Sequence, residues 1–358
     1  MDDYVTNQVA MQGKGSYNSN SALQWAAMME ALPLFDSELQ SCNGALTIIE
    51  YGASQGANSI TPVKHILTQA TSSKHPEAPL IATLHFCDRP ANDFSALAQT
   101  ISSTRWPPST EVFPAMIPRS FFEPILPPQS VDIGFSLAAL HHLNRVPARL
   151  SGSPEPEERR AVFAAQAKQD LHDFLQLRAR EFKTSAPLVL TFVGSSSTGV
   201  QNYAPLVEAC KIAMGGMIGE GVLSSSVLEV FEVLVYDRSI AEVREVLESE
   251  EERGLWSVEE CRETMVRHPA VDALGDQEDG KNTSRLSSEE YARVVVKWEM
   301  AVIGGYFTSA LENALAVDGT EQERLMGLWT ERTVDVFLER FRDAVVECCF
   351  VLVKLRRI

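Results

Sequence analysis

The residues best suited to binding a ligand lie in the segment EYGASQG, residues 50–56, where an apolar run breaks into a glycine-rich turn. Glycines let a backbone approach a ligand without a Cβ, and the helix expected after the turn offers free N–H groups. A dinucleotide fold needs GxGxxG to seat a pyrophosphate, but Ser54 stands at the middle glycine position. Glu50, Gly52 and Gly56 give ExGxxxG instead, a pattern used for S-adenosylmethionine. The same residues also fit an ordinary strand-to-helix turn.

A second candidate residue, Asp88, ends the next apolar run, LHFCD. A carboxylate at the end of a strand can accept hydrogen bonds from both ribose hydroxyls of a bound nucleoside. Asp88 also fits a helix-capping role, but Asp93 just beyond it is the better capping candidate. Two such features on consecutive strands favour an adenosyl ligand.

Two adjacent histidines, His141 and His142, form a third group of polar residues. They fit the lining of a polar pocket, or simply one buried and one exposed ring. A metal site is disfavoured, because neighbouring residues project in different directions and no third ligand is evident.

Short apolar runs with helical segments between them indicate the scaffold that holds these residues. Runs at 44–52, 79–88, 130–140 and 187–195 predict buried strands, and a long helix is predicted over 157–182. Strands alternating with helices indicate an α/β fold with a mostly parallel, doubly wound sheet.

The character of the chain changes after residue 194. Helical patterns dominate at about 203–218, 288–315 and 321–346, and a last apolar run, ECCFVLVKLRR, returns to the sheet as a strand. We therefore predict an α/β domain of residues 1–200 and 345–358 that carries a mostly helical cap of residues 201–344.

Charge and composition exclude several kinds of partner. The formal net charge of −17 argues against nucleic acid and anionic membranes, because no basic field offsets phosphate repulsion. The first residues show no secretory signal, and no stretch approaches the roughly 18 apolar residues of a membrane helix. Six cysteines without a CxxC motif fit a reduced, cytoplasmic protein better than a disulfide framework.

Seven short motifs, taken in their order along the chain, resemble the SABATH family of carboxyl methyltransferases, which includes plant enzymes acting on salicylate and jasmonate. They are GSYNSNSALQ, EYGASQGANS, CDRPANDFSAL, IPRSFFEPILPPQSVD, HHLNRVP, QAKQDLHDFLQLRARE and PLVLTFVG. The resemblance runs from about residue 11 to the C-terminus. It implies a class I methyltransferase (Rossmann-like) fold with an α-helical cap, S-adenosylmethionine as methyl donor, a small carboxylic acid as acceptor, and a homodimer.

The resemblance also implies roles for individual residues. On the cofactor side, the turn residues Glu50, Gly52, Ser54 and Gly56 are joined by residues that match family motifs, namely Tyr17, Ser21, Asn58, Asp88, Ser120 and Phe121. On the acceptor side, Gln24 matches the glutamine that binds the substrate carboxylate, and His141 and His142 match two pocket residues. The family usually has a carboxylate-binding tryptophan where His142 stands. Gln24 and His142 are therefore the expected catalytic positioning residues.

Departures from the family fall mainly on the acceptor side. Arg89 replaces an apolar residue near the adenine, and Ala138 stands where tyrosine is common. Leu206 and Val207 align with an Ile-Trp pair, and Phe350 matches a pocket phenylalanine. Smaller residues open volume while the histidines add donors that need partners. We expect an acid larger or more polar than salicylate, such as a dicarboxylic or an amide-linked aromatic acid.

The chemistry implied by the resemblance needs little from side chains. A carboxylic acid is already ionised at neutral pH, so methyl transfer requires alignment rather than a general base. Two other functions stay open. One is a nicotinamide-dependent oxidoreductase, which Ser54 and Glu50 disfavour. The other is a non-catalytic member that binds S-adenosylmethionine and an acid, which Gln24 disfavours.

Overall fold

A central sheet of eight strands organises the chain. The computed structural model describes residues 4–7, 9, 16–36, 44–72, 79–147, 156–274, 285–315 and 317–358. The strands are β1 (Tyr4–Thr6), β2 (Ala45–Tyr51), β3 (Leu80–Asp88), β4 (Thr110–Pro118), β5 (Ile133–Leu137), β6 (Arg145–Pro147), β7 (Pro187–Ser195), β8 (Arg238–Ser239), β9 (Trp256–Arg267) and β10 (Glu347–Arg357).

Helices cover both faces of the sheet and build the cap. They are α1 (Ser16–Asn20), α2 (Ala22–Ala31), α3 (Ile60–Ser72), α4 (Phe94–Ser103), α5 (Pro156–Glu181), α6 (Ala204–Gly219), α7 (Ser226–Val230), α8 (Ile240–Leu247), α9 (Glu250–Arg253), α10 (Ala270–Ala273), α11 (Ser288–Leu315) and α12 (Gly319–Arg340). Among the described residues, no helix combines the length and the apolar character needed to cross a membrane.

The strand order explains where a ligand can bind. The order is β4-β3-β2-β5-β7-β10-β9, with the short β8 beside the end of β7. The strands from β4 to β7 are parallel, whereas β10 runs antiparallel between β7 and β9. The chain leaves β2 for β3 on one side and later returns to β5 on the other. The carboxyl ends of β2 and β5 therefore border a crevice of the kind that binds ligands in open α/β sheets.

The mostly parallel sheet predicted from the apolar runs is confirmed. Its central strands are buried on both faces, because α3 and α4 cover one side and α5 and α8 cover the other. In β7, Val189 packs on the first side whereas Leu188 and Leu190 pack against α5. Burial on both faces is why these strands read as continuous apolar runs.

The short strands β1, β6 and β8 have no counterpart in the sequence prediction. Neither do two long strands, β4 and β9. Both lie at the edges of the sheet, where one side of the strand faces solvent. β4 contains Pro114 and Pro118, which an edge strand tolerates because it needs fewer N–H groups for pairing. β9 is rich in charges, and its Glu259 forms ion pairs with Lys354 and Arg356 of β10. Proline and charge hid the apolar pattern that identified the other strands.

The cap is built mainly from α6, α7, α11 and α12. The rings of Phe307 and Trp329 lie 4.6 Å apart between α11 and α12, and Trp329 Nε1 donates to the Cys210 carbonyl of α6 at 3.0 Å. The predicted division at residues 200 and 345 stays a prediction. However, the range predicted as the cap, residues 201–344, includes β8 and β9, and both of these strands pair with strands of the main sheet.

Candidate active site

The glycine-rich turn after β2 has a tight backbone. Gly52 and Gly56 have positive φ angles of 94° and 86°, a region that favours glycine. A Cβ on Gly52 would lie 2.4 Å from the Ala139 Cβ, so the turn and the loop after β5 approach too closely for a side chain. Ser54 also has a positive φ, of 48°. The turn thus keeps the shape of a glycine loop while presenting a hydroxyl.

Asp88 fixes the end of β3 to this turn. Its carboxylate accepts hydrogen bonds from the Ser54 N–H at 2.6 Å and from its own neighbour, the Arg89 N–H, at 2.7 Å. Burial raises the pKa of Asp88, and these two hydrogen bonds oppose that rise. Asn92 Nδ2 adds a bond to the Ser54 carbonyl at 2.7 Å. The carboxylate is oriented before any ligand arrives, and each oxygen keeps a lone pair for one.

Glu50 lies beneath the turn rather than in the crevice. Its side chain is buried, and burial raises its pKa to about 8, with a smaller contribution from nearby Asp88. A hydrogen bond with the Ser59 side chain opposes this rise. Glu50 therefore supports the turn from below, and its role toward a cofactor stays a prediction.

The N-terminal segment closes over the turn through Asn18 of α1. Asn18 Oδ1 accepts from the Ala57 N–H at 3.1 Å, and Asn18 Nδ2 donates to the Gln55 carbonyl at 3.0 Å. Ser21 and Asn58 bind each other, because Asn58 Nδ2 donates to Ser21 Oγ at 3.1 Å. The side chain of Tyr17 lies outside the described part of the structure. Asn18 escaped the sequence analysis, although it belongs to the quoted motif GSYNSNSALQ.

A pocket opens above the carboxyl ends of β2, β3 and β5. It brings together nine of the predicted site residues, namely Gln24, Gly52, Ser54, Asp88, Arg89, Phe121, Ala138, His141 and His142. Five further residues complete its lining, namely Val9, Asn92, Leu137, Ala139 and Val302. Residues predicted for the cofactor and for the acceptor thus share one continuous space.

Several of the other predicted residues fall outside this lining. Among the described residues that line it, none is Leu206, Val207 or Phe350. Leu206 and Phe350 are fully buried in the core, and Val207 is half-buried on α6. Ser120 is half-buried beside Phe121, and its hydroxyl accepts from the Phe122 N–H at 3.3 Å. The roles implied for these residues stay predictions.

His141 and His142 are both buried, at 7% and 8% exposure, so the alternative interpretation of one buried and one exposed ring is wrong. Their rings lie 4.3 Å apart. Burial, with the positive charge of Arg238, lowers the pKa of His141 to about 3. Burial also holds the pKa of His142 well below its ordinary value, and His141 and Arg89 add to this effect. Both imidazoles are neutral near pH 7.

The hydrogen-bond network around His142 is compatible with the tautomer that carries its hydrogen on Nε2. Its Nδ1 lies 3.1 Å from the Tyr306 hydroxyl, which also receives a hydrogen bond from Asn7 Nδ2 at 3.2 Å. Because the Asn7 amide nitrogen only donates, the hydroxyl hydrogen of Tyr306 is available to His142 Nδ1. When that hydroxyl donates to Nδ1, the imidazole hydrogen of His142 is on Nε2. A neutral N–H donor results, rather than the cation that a histidine in water would offer at low pH.

One face of α11 reaches this pocket, a contribution that the sequence analysis missed. Trp298, Val302 and Tyr306 follow each other at four-residue spacing, which places them along one side of the helix. Trp298 Nε1 donates to Gln24 Oε1 at 2.8 Å, Val302 lines the pocket, and Tyr306 binds His142. The only sequence signal for this face is that spacing within the long apolar helix.

The pocket combines an oriented carboxylate at one end with neutral donors and an arginine at the other. This arrangement suits two ligands bound side by side, one that carries hydroxyl groups and one that carries an acidic group. Among the described residues, no group of three or more histidine, cysteine, aspartate or glutamate side chains is placed to hold a metal ion.

Comparisons with known proteins agree with this geometry. A family model described as "SAM dependent carboxyl methyltransferase" matches residues 6–317. O-methyltransferase acrG of Aspergillus aculeatus is 42% identical over 98% of each protein. Methyltransferase FUS9 of Gibberella fujikuroi is 37% identical over 100% of this chain and 99% of its own. A solved structure of loganic acid methyltransferase with SAH has a TM-score of 0.75 at 18% identity, covering 98% of each chain. The fold implied by the sequence resemblance is thereby confirmed.

Proposed function

This chain belongs to the S-adenosylmethionine-dependent carboxyl methyltransferases, and on that premise we propose which residues hold its two substrates. S-adenosylmethionine occupies the end of the pocket at Asp88, and a small carboxylic acid of secondary metabolism occupies the end at Gln24 and His142. The observation that carries the proposal is that one pocket contains both sets of residues.

The residues at the turn fit the cofactor on several counts. Asp88 presents free lone pairs to ribose hydroxyls, and among the described residues Ser54 Oγ is buried without a hydrogen-bond partner. Gly52 and Phe121 line the pocket beside the same turn. When bound, S-adenosylmethionine supplies an electrophilic methyl group. The task of these residues is to fix the direction in which that group points.

Gln24 and His142 are suited to hold the acceptor carboxylate. The indole N–H of Trp298 occupies Gln24 Oε1, which orients the amide so that Nε2 is the group left to donate. His142 offers its Nε2–H. Both donors are neutral, so they align a carboxylate without competing strongly for the electron pair that attacks the methyl group.

No residue needs to act as a base. The acceptor acid is ionised at neutral pH, and both histidines have pKa values far below that range. Alignment and exclusion of water then supply the catalysis, and orientation of this kind contributes roughly 7–11 kcal/mol in favourable cases.

For the acceptor we propose a dicarboxylic or an amide-linked aromatic acid. The pocket offers polar groups from His141, His142 and Arg89, which an apolar monoacid such as benzoate leaves without partners. Each buried donor left unpaired costs about 1–3 kcal/mol, so a polar acid is favoured.

A panel of acids tests this proposal. The protein is incubated with S-adenosylmethionine labelled in its methyl group and with benzoate, salicylate, adipate or hippurate, and kcat/KM is measured for each acid. We expect adipate or hippurate to exceed benzoate and salicylate. A preference for benzoate would overturn the proposed acceptor class.

Two further expectations remain proposals. A homodimer, implied by the family resemblance, is tested by analytical ultracentrifugation. A non-catalytic member would bind S-adenosylhomocysteine with the affinity of an enzyme yet methylate no acid. Membership of the methyltransferase family rules out the nicotinamide-dependent oxidoreductase that the sequence analysis had left open.

A further inference from the structure

Arg89 is a buried cation at the acceptor end of the pocket. It follows Asp88 at the end of β3 and is only 8% exposed. Its guanidinium donates to the Val9 carbonyl at 3.1 Å and to the Leu143 carbonyl at 3.5 Å. Both acceptors are neutral, so these bonds hold the group in place without neutralising its charge.

No carboxylate pairs with this guanidinium among the residues that the structure describes. Other described arginines form ion pairs, but none of these pairs includes Arg89, although Asp88 is its neighbour in the chain. The Asp88 oxygens are held instead by the backbone N–H groups of Ser54 and Arg89. The charges of Asp88 and Arg89 attract each other, but the two side chains form no direct ion pair. A buried charge without such a pair is costly, and proteins usually pair it.

The guanidinium lies toward the acceptor side. Its positive charge adds to the lowering of the pKa of His142 by burial, and it opposes the rise that burial causes in the pKa of Tyr306, so it lies near both rings. Because His141 and His142 are neutral, Arg89 is the one positive charge among the described residues that line the pocket. The family resemblance had placed this position beside the adenine.

We propose that Arg89 is a carboxylate-binding residue of the acceptor site. This proposal rests on the proposed function, and it assigns the missing counter-ion to the substrate. A carboxylate entering the pocket pairs with the guanidinium while Gln24 and His142 add neutral hydrogen bonds. The methylated carboxyl group carries no charge, so the guanidinium holds the ester less tightly than the acid.

The test uses adipate, its monomethyl ester and its dimethyl ester, which carry two, one and no negative charges. Their dissociation constants are measured by calorimetry with S-adenosylhomocysteine present, for the wild type and for Arg89→Gln. We expect the wild type to bind the charged probes best. In Arg89→Gln their affinity falls by about 10- to 100-fold, the range for a hydrogen bond to a charged group, while the dimethyl ester binds as before.

The two charged probes identify which carboxylate is held. Equal losses for adipate and its monomethyl ester mean that Arg89 holds a carboxylate whether or not the other end of the molecule is charged. A loss confined to adipate means that Arg89 holds a second carboxylate, away from the methyl group. Unchanged affinity of both charged probes in a folded variant would overturn the proposal.

Three controls separate this result from others. Arg89→Lys keeps the charge and should retain part of the preference for charged probes. Arg324→Gln removes an exposed arginine that pairs with Glu321 on α12, and should leave every probe unaffected. Affinity for S-adenosylhomocysteine should stay unchanged in Arg89→Gln, which shows that the cofactor end is intact. The experiment measures binding without turnover. Failure of this proposal can therefore be distinguished from failure of the proposed function, which would appear as an absence of methylation.

Discussion

Trp298 Nε1 donates a hydrogen bond to Gln24 Oε1 over 2.8 Å, joining α11 of the cap to α2 beside the pocket. The two residues are 274 positions apart in the sequence. Because the indole N–H only donates, the amide oxygen of Gln24 faces Trp298 and the amide nitrogen faces away from it. A residue of the cap thereby sets the orientation of a donor predicted to hold the acceptor carboxylate.

The first prediction concerns this bond. Trp298→Phe keeps an aromatic ring against Tyr203 and His268 but removes the N–H, so the Gln24 amide is free to turn. We expect kcat/KM for the acceptor acid to fall about 5- to 10-fold, the worth of one typical hydrogen bond, while the affinity for S-adenosylhomocysteine stays the same.

Trp256→Phe is the matched control for that variant. Trp256 is also buried and donates from Nε1, to the Leu175 carbonyl at 3.3 Å, but it lies outside the pocket. Both variants should lose some stability, and only Trp298→Phe should lose kcat/KM. Equal kinetic losses in the two variants would show that the effect is general destabilisation.

The second prediction concerns the cofactor end. Asp88→Ala removes the carboxylate held by the Ser54 and Arg89 N–H groups, and should weaken S-adenosylhomocysteine binding by on the order of 2–3 kcal/mol. Asp93→Ala is the control, because Asp93 caps α4 by accepting from the Ala96 N–H at 3.0 Å. That variant should lose about 1 kcal/mol of stability and keep its affinity. Calorimetry showing full affinity in folded Asp88→Ala would remove Asp88 from the site.

The sequence predicted those parts of the molecule in which neighbouring residues act together. The strand, glycine turn and helix around Gly52 lie within one short segment, and Asp88 ends the next strand, so local pattern was enough to identify both. Asp93, preferred from the sequence as a helix cap, is indeed the N-cap of α4.

The remaining features depend on long-range contacts that no local pattern shows. Helix α11 was expected, but which of its faces meets the pocket depends on how the cap packs, so Trp298 and Tyr306 were missed. The burial of both His141 and His142 follows from the same packing. The family resemblance identified Arg89 only as a substitution beside the adenine. The direction of its side chain is set by the Val9 and Leu143 carbonyls, which are distant in the sequence.

The third prediction is the pH dependence of the reaction. The pKa of His141 is lowered to about 3 and that of His142 lies well below its ordinary value, so neither ring titrates near pH 6.5. We expect kcat/KM to be level from about pH 6 to 8, with an acid limb only where the substrate carboxyl is protonated. An acid limb near pH ~6.5 that disappears in His142→Gln would instead identify a histidine base.

The fourth prediction is a stability change at Glu299 in the cap. Glu299 is buried, and burial raises its pKa to about 7. A raised folded-state pKa stabilises the fold at low pH, and that contribution is lost as pH rises from the unfolded value of about 4.3 through 7. Glu299→Gln stays neutral, so its free energy of unfolding at pH 8 should exceed that of the wild type by about 1–3 kcal/mol.

Urea unfolding at pH 5 and pH 8 measures this difference. At pH 5 the wild-type carboxyl is protonated, so the two proteins should differ little. The exposed Glu339 on α12 provides the control, since Glu339→Gln should change stability equally little at both pH values. A gain for Glu299→Gln that is the same at pH 5 and pH 8 would count against titration of Glu299.

The fifth prediction separates two assignments of the acceptor pocket. Ala138 lines the pocket, whereas Val207 is half-buried on α6 and is not among the described residues that line it. Ala138→Tyr should therefore shrink the acceptor space and move kcat/KM toward benzoate-sized acids. Val207→Trp should leave the preference among acids where it was. The reverse outcome would favour the sequence alignment, which places Val207 at the pocket wall.

The most direct test of the central claim is the chemical nature of the transferred methyl group. The protein is incubated with S-adenosylmethionine labelled in its methyl group and with the acid preferred in the panel, and the product is treated with mild alkali. We predict that the label leaves as volatile methanol, because alkali hydrolyses a methyl ester, and that Asp88→Ala strongly reduces its formation when S-adenosylmethionine is limiting. Label that stays in an alkali-stable product, as in a methyl ether or N-methyl compound, would contradict carboxyl methylation.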